Sequence, residues 1–169
     1  NFYQNIDNND TQGLTGANYT DAINLLANAD EYVYNIITTP GLIYANADHA
    51  TPLNTLIANT ENRGDAITVI DLENYGSSIT AVNSTAASLD TSYAASYWPW
   101  VQITDPDTAQ LVWAPAGALI PGVFAYTDRV AEPWFAPAGI NRGGLGTVRQ
   151  AERKLTQANR DTLYTGKVN

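Results

Sequence analysis

The spacing of apolar residues switches repeatedly along this chain between a helical and an extended period, and that switching constrains its fold more than any other feature. Leu53, Leu56 and Ile57 recur at helical spacing, as do Ile79, Val82, Ala86 and Leu89. Between the two sets lies Ala66-Ile67-Thr68-Val69-Ile70, a short apolar run of the kind buried in a parallel sheet. Helix and strand alternate over most of the length. This pattern predicts an α/β fold, a layered sandwich with a largely parallel or mixed central sheet and helices on both faces. Neither a repeat nor a linker interrupts it, so residues 1–169 read as a single α/β domain, with 1–16 as an Asn-, Asp- and Gly-rich loop.

Local signals place the other elements. Asn18 or Thr20 is a plausible cap for a first helix carrying Ile23, Leu26 and Ala27 inward. Tyr32 to Ile37 is rich in β-formers and is closed by Pro40-Gly41. Thr51-Pro52 reads as a helix start, a capping hydroxyl followed by proline, and Gly64 as its stop. Strands are expected over Trp98–Ile103 and Leu111–Trp113, separated by the turn-forming Asp105-Pro106-Asp107. A small-residue helix covers Ala118–Arg129, with Pro121 confined to its first turns. Pro133–Gly146 reads as loop, followed by a strand near Thr147–Leu155 and a helix from about Thr156 to Tyr164.

Charge narrows the partners. The formal net charge is −9, which repels phosphate at long range and argues against nucleic acid or a membrane surface. Arg129, Arg142, Arg149, Arg153 and Arg160 nonetheless crowd into the C-terminal part, leaving an acidic body and a basic end. That asymmetry suits contact between copies of one chain, as it also suits a solvated basic face. There is no cysteine, hence no disulfide framework and no thiolate chemistry. Methionine is absent and the chain opens at Asn1, so it reads as a piece of a longer protein.

The enzyme readings are weak. His49 is the only histidine and reads as a loop residue; Gly76-Ser77-Ser78 lacks the second glycine of a nucleophile elbow. A hydrolase built on His49 needs a Ser or Asp within hydrogen-bond reach of its ring. Asn8, Asp10, Gln12 and Gly13 have the outline of a calcium loop, but Tyr19 stands where the bidentate Glu belongs. Gly139-Ile140-Asn141-Arg142-Gly143-Gly144-Leu145-Gly146 lacks the Gly-Lys-Ser/Thr of a phosphate-binding loop, and its glycines fit a turn that needs positive φ. Asp105 with Asp107, and Asp7 with Asp10, are turn formers with nothing nearby to desolvate one of the pair. No catalytic, metal or cofactor site is expected. Among Trp98, Trp100 and Trp113 no basic residue intervenes, which favours core or interface packing over stacking on sugars or bases.

The segment from Pro115 onward carries a resemblance. Pro115-Ala116-Gly117-Ala118, Gly122, Tyr126-Thr127-Asp128-Arg129 and Trp134-Phe135-Ala136-Pro137-Ala138-Gly139 resemble the signature stretch of contractile phage tail sheath proteins, and Asn141-Arg142-Gly143 and Asp161-Thr162-Leu163-Tyr164 continue it. In that family a proline and small residues open a helix, a Thr-Asp pair closes it and a Trp-x-x-Pro-Ala turn follows. The resemblance implies a structural, non-enzymatic subunit with no cofactor, part of the virion tail and assembled in the host cytoplasm. It implies a helical homo-oligomer around an inner tail tube, contacts with baseplate and tail terminator proteins, and contraction that drives the tube through the host envelope. Helical, non-closing contacts are heterologous, and the five arginines are assigned to one such subunit interface. Trp134 and Pro137 are read as residues that fix the turn. The rival reading is a carbohydrate- or receptor-binding domain of a tail protein, which an exposed aromatic platform would support.

Overall fold

A computed structural model describes Ile6 and residues 15–169; the calcium-like loop and the Asp7–Asp10 pair lie outside the described residues. The helix expected from Leu53, Leu56 and Ile57 is α2 (Ala47–Arg63), and it buries all three against a cluster shared with β1 (Ile36–Ile43), β2 (Ile67–Asp71) and α1 (Gly16–Leu25). Gly64 ends it in the left-handed region at φ 71°, where glycine carries no Cβ penalty. Its start differs from the Thr51-Pro52 reading. The helix begins five residues earlier, with Asn46 at the cap position, so Pro52 falls in the second turn, where it removes one ladder bond.

His49 secures that first turn. It is buried in α2, not in a loop, and its Nδ1 accepts the Ile43 N–H at 2.9 Å. A backbone N–H can only donate, so Nδ1 presents a lone pair and Nε2–H donates to the Ile6 carbonyl. Both ring nitrogens are thus spent on backbone groups. We expect His49→Ala to cost about 3 kcal/mol in urea unfolding, because it leaves a buried N–H and a C=O unpaired as well as a cavity; a loss below about 1 kcal/mol would show the histidine to be dispensable.

Among the described residues, two three-stranded sheets carry the α/β fold in place of one central sheet. The first is parallel, in the order β1-β2-β3, with β3 at Ala94–Ser96. α2 and α3 (Ile79–Ala87) provide its crossovers, α3 being capped by the Ser78 hydroxyl on the Ala81 N–H. The second is antiparallel, in the order β5-β4-β6, built from β4 (Val101–Thr104), β5 (Leu111–Ala114) and β6 (Val148–Ala151).

Three expectations shift. The first strand runs over Ile36–Ile43 and passes through Pro40-Gly41, which were expected to close it. It is an edge strand, so a missing N–H at Pro40 is tolerated, and its register slips between Thr38 and Ile43. The run expected as one strand from Trp98 is interrupted at Pro99, and β4 itself covers only Val101–Thr104. The first helix starts at Gly16 under a Thr15–Asn18 capping box, ahead of the Asn18 or Thr20 cap.

The C-terminal half follows its signals more closely. A 3-10 turn (Ala116–Ala118) leads into α4 (Ile120–Val130), with Pro121 in its first turn. α5 (Gly139–Arg142) is a single turn inside the segment expected to be loop, and β6 is shorter than the expected Thr147–Leu155. α6 (Gln157–Thr165) starts under a Thr156–Asn159 capping box and buries Leu163. Beyond it Asn169 donates to the Ser96 carbonyl (3.2 Å) and accepts from the Trp98 N–H (2.8 Å), the parallel-ladder pattern about Tyr97.

Candidate interaction surface

The start of α4 is fixed by a buried carboxylate that sequence reasoning did not single out. Asp71 closes β2 and is buried; its Oδ1 accepts the Gly117 N–H at 2.8 Å. Burial pushes this carboxyl up to about 7, against the pull of that one backbone donor. The backbones meet closely here: a Cβ on Gly117 would lie 2.6 Å from Asp71 Oδ1. A charged residue at the C-terminal end of an apolar strand run was the available signal.

From that anchor α4 turns Ile120, Val123 and Thr127 inward, the Thr127 hydroxyl donating to the Val123 carbonyl at 3.0 Å. Beside them, at i+3 and i+7 from Val123, Tyr126 and Val130 are exposed. After the helix the chain passes Trp134, 78% exposed, and Phe135, then turns at Gly139 with φ 79°. Trp134 therefore does not pack to fix the turn. Gly143 approaches the Ala138 backbone so closely that a Cβ would sit 2.9 Å from Ala138 Cα. The result is an apolar groove of about 700 Å³ between α4 and residues 140–147, walled by Leu119, Val123, Tyr126, Ile140 and Leu145. Ile140 on its wall is 98% exposed.

The five arginines sit on different elements, each held by local partners. Arg129, in the last turn of α4, lies 5.7 Å over the Tyr126 ring. Arg142, on α5, lies 4.9 Å over Phe135 and donates to the Ala136 carbonyl. Arg129 thus lies over a groove-lining ring, and Arg142 follows the lining residue Asn141 in the chain. Arg149 on β6 donates to the Thr104 hydroxyl across the sheet. Arg153 is drawn into the body, over Trp98 at 5.0 Å and donating to the Ser77 carbonyl at 3.1 Å. Arg160 on α6 donates to Gln157 at 2.7 Å.

The aromatic residues do not make a platform of tryptophans. Trp98 and Trp100 are buried, and Tyr75 packs edge-on to Trp100 and 5.0 Å from Trp113. Trp100 Nε1 donates to the Glu73 carbonyl at 2.8 Å. Among the described residues no group of three or more His, Cys, Asp or Glu comes together as a metal-holding set.

These features define an α/β domain whose prominent surface feature is an apolar groove with two arginines beside it. Residues 12–169 match the family described as phage tail sheath protein central domain, and the chain belongs to that family. The match reaches well upstream of Pro115, where the recognisable motifs begin. The chain is 37% identical over 83 residues to the tail sheath protein of Vibrio phage KVP40, covering 49% of this chain and 11% of that protein. It is 33% identical over 88 residues to the tail sheath protein of Enterobacteria phage T4, covering 52% of this chain and 12% of that one. The chain thus spans only a small part of the length of these relatives.

Proposed function

We propose that this chain is one α/β domain of a longer contractile-tail sheath subunit, a structural and non-enzymatic element of the virion tail. Copies of the subunit assemble helically around the inner tail tube in the host cytoplasm, meet baseplate and tail terminator proteins at the two ends, and contract to drive the tube through the host envelope. The observation that carries this reading is the match of residues 12–169 to the sheath central domain, and the exposed apolar groove of that domain supplies a surface on which a neighbouring protein can pack. A contractile sheath needs the same domain to pack in two arrangements of modest energy difference. Burial of Trp98 and Trp100 disfavours the carbohydrate-binding alternative, and the backbone bonds of His49 leave its ring no free nitrogen for base catalysis.

Negative-stain microscopy of the full-length subunit expressed alone tests the reading. Long hollow tubes are expected, and persistent monomers across a range of salt would reject it. Of the five arginines assigned to a subunit interface, Arg149 offers the cleaner probe, since Arg153 also serves the fold. Arg149→Glu is expected to shorten or abolish tubes while leaving the melting temperature of the domain within a degree or two of wild type. Normal tubes from that variant would remove Arg149 from the interface.

A further inference from the structure

We infer that the α4 groove of one copy receives the β4–β5 hairpin tip of another, a contact that rests on the sheath reading above. The charge of the chain is divided unequally: Arg63 is the one basic residue against fourteen acidic ones through position 128, and seven basic face three acidic beyond it. The groove lies at the boundary of these halves, with Arg129 over its Tyr126 wall and Arg142 the chain neighbour of its lining residue Asn141. Its complement is therefore apolar and acidic.

The hairpin tip has that chemistry. Asp105 and Asp107 open the turn between β4 and β5, and Leu111 and Val112 follow it. Leu111 is 57% exposed and Val112 37%. Consecutive strand residues point to opposite faces, so exposure of both means that the tip stands clear of the body. Among the described residues β5 is also an edge strand, paired with β4 alone. The tip is stiff: Asp105 accepts from the Thr108 hydroxyl and the Asp107 N–H, which hold its carboxyl below the usual range and fix the turn. The Asp107 side chain is left at the exposed tip. Leu111 and Val112 would cover the apolar wall at Ile140 and Tyr126, while Asp107 meets the arginines at the rim. Groove and tip are different patches, so the contact is heterologous and repeats from copy to copy without closing.

The chain has no cysteine, which makes site-directed crosslinking unambiguous. Ile140→Cys and Leu111→Cys, both at exposed positions, are oxidised with copper phenanthroline separately and mixed. The expected result is a dimer that forms in the mixture but not from either variant alone, and a ladder of oligomers from the double variant. Asp107→Lys should lower the crosslink yield about fivefold, and adding Arg129→Glu should restore it, as for one exposed ion pair. Equal dimer from each variant alone, or no dimer in any mixture, overturns the contact. Tubes from the full-length subunit without the 111–140 crosslink reject this contact and keep the sheath reading; the crosslink without tubes does the reverse.

Discussion

Unfolding free energy measured by urea titration is expected to fall as pH rises from about 4 to about 7, and the Asp71→Asn variant should lose that slope. Asp71 is buried at the end of β2, and among the described residues no cation pairs with it. Desolvation raises its carboxyl to about 7 from an ordinary value of 3.8, with the Gly117 N–H opposing. The sign follows from linkage. Over this interval the folded chain keeps the proton and the unfolded chain releases it, so stability is fully present below the unfolded value and is lost as pH rises through the folded one. The interval corresponds to about 4 kcal/mol at most, from about 1.4 kcal/mol per tenfold change in proton activity. Asparagine keeps an oxygen for the Gly117 N–H and cannot ionise. Asp71→Asn should therefore match wild type only below about pH 4, exceed it by about 1.5 kcal/mol near pH 5 and by a few kcal/mol near pH 8. Parallel stability profiles for the two proteins would show that Asp71 does not titrate between folded and unfolded states.

Elements set by local chemistry were legible in the sequence. Gly64 stops α2, Ser78 caps α3 and Thr156 caps α6, because a cap needs only its own few neighbours. β2 was legible because a continuous apolar run has few other places to go. β3 was not: Ala94-Ala95-Ser96 has little strand propensity, and pairing with β2 alone makes it a strand. At β1 tertiary pairing overrode propensity. Tyr32-Val33-Tyr34 looks more strand-like than Thr38-Thr39-Pro40, yet Val33 is 88% exposed. Tyr34 instead donates its hydroxyl to the Leu26 carbonyl and lies 4.1 Å beneath Arg63.

The surface was legible as a region and not as a geometry. The motifs from Pro115 onward mark the stretch that forms the groove, and the crowding of arginines there is evident from charge alone. Spacing could not tell that Arg153 is committed to Trp98 and Ser77 while Arg129 and Arg142 stand beside the groove. Nor could it tell that Trp134 faces outward, since tryptophan in a turn is as compatible with packing as with exposure. Asp71 escaped because a carboxylate ending an apolar strand resembles the start of a polar loop. Only the fold brings the Gly117 N–H onto it.

That junction gives the second large effect, Gly117→Ala. The methyl group would lie 2.6 Å from Asp71 Oδ1 and 2.9 Å from its Cγ, closer than real contacts permit. Asp71 is buried and holds its place through the same Gly117 N–H, so the carboxylate has no open space to swing into. Relief must come from moving the 3-10 turn away from β2, which also shifts the start of α4. The expected cost is about 3 kcal/mol in urea unfolding with an unchanged denaturant slope, as for other overpacked interior sites. Shortening the acid removes the obstacle, so adding Asp71→Ala to Gly117→Ala should cost less than the two single changes together. Strict additivity would mean that the Asp71 side chain does not set the distance between β2 and α4, and a loss under about 1 kcal/mol from Gly117→Ala would mean that the junction yields freely.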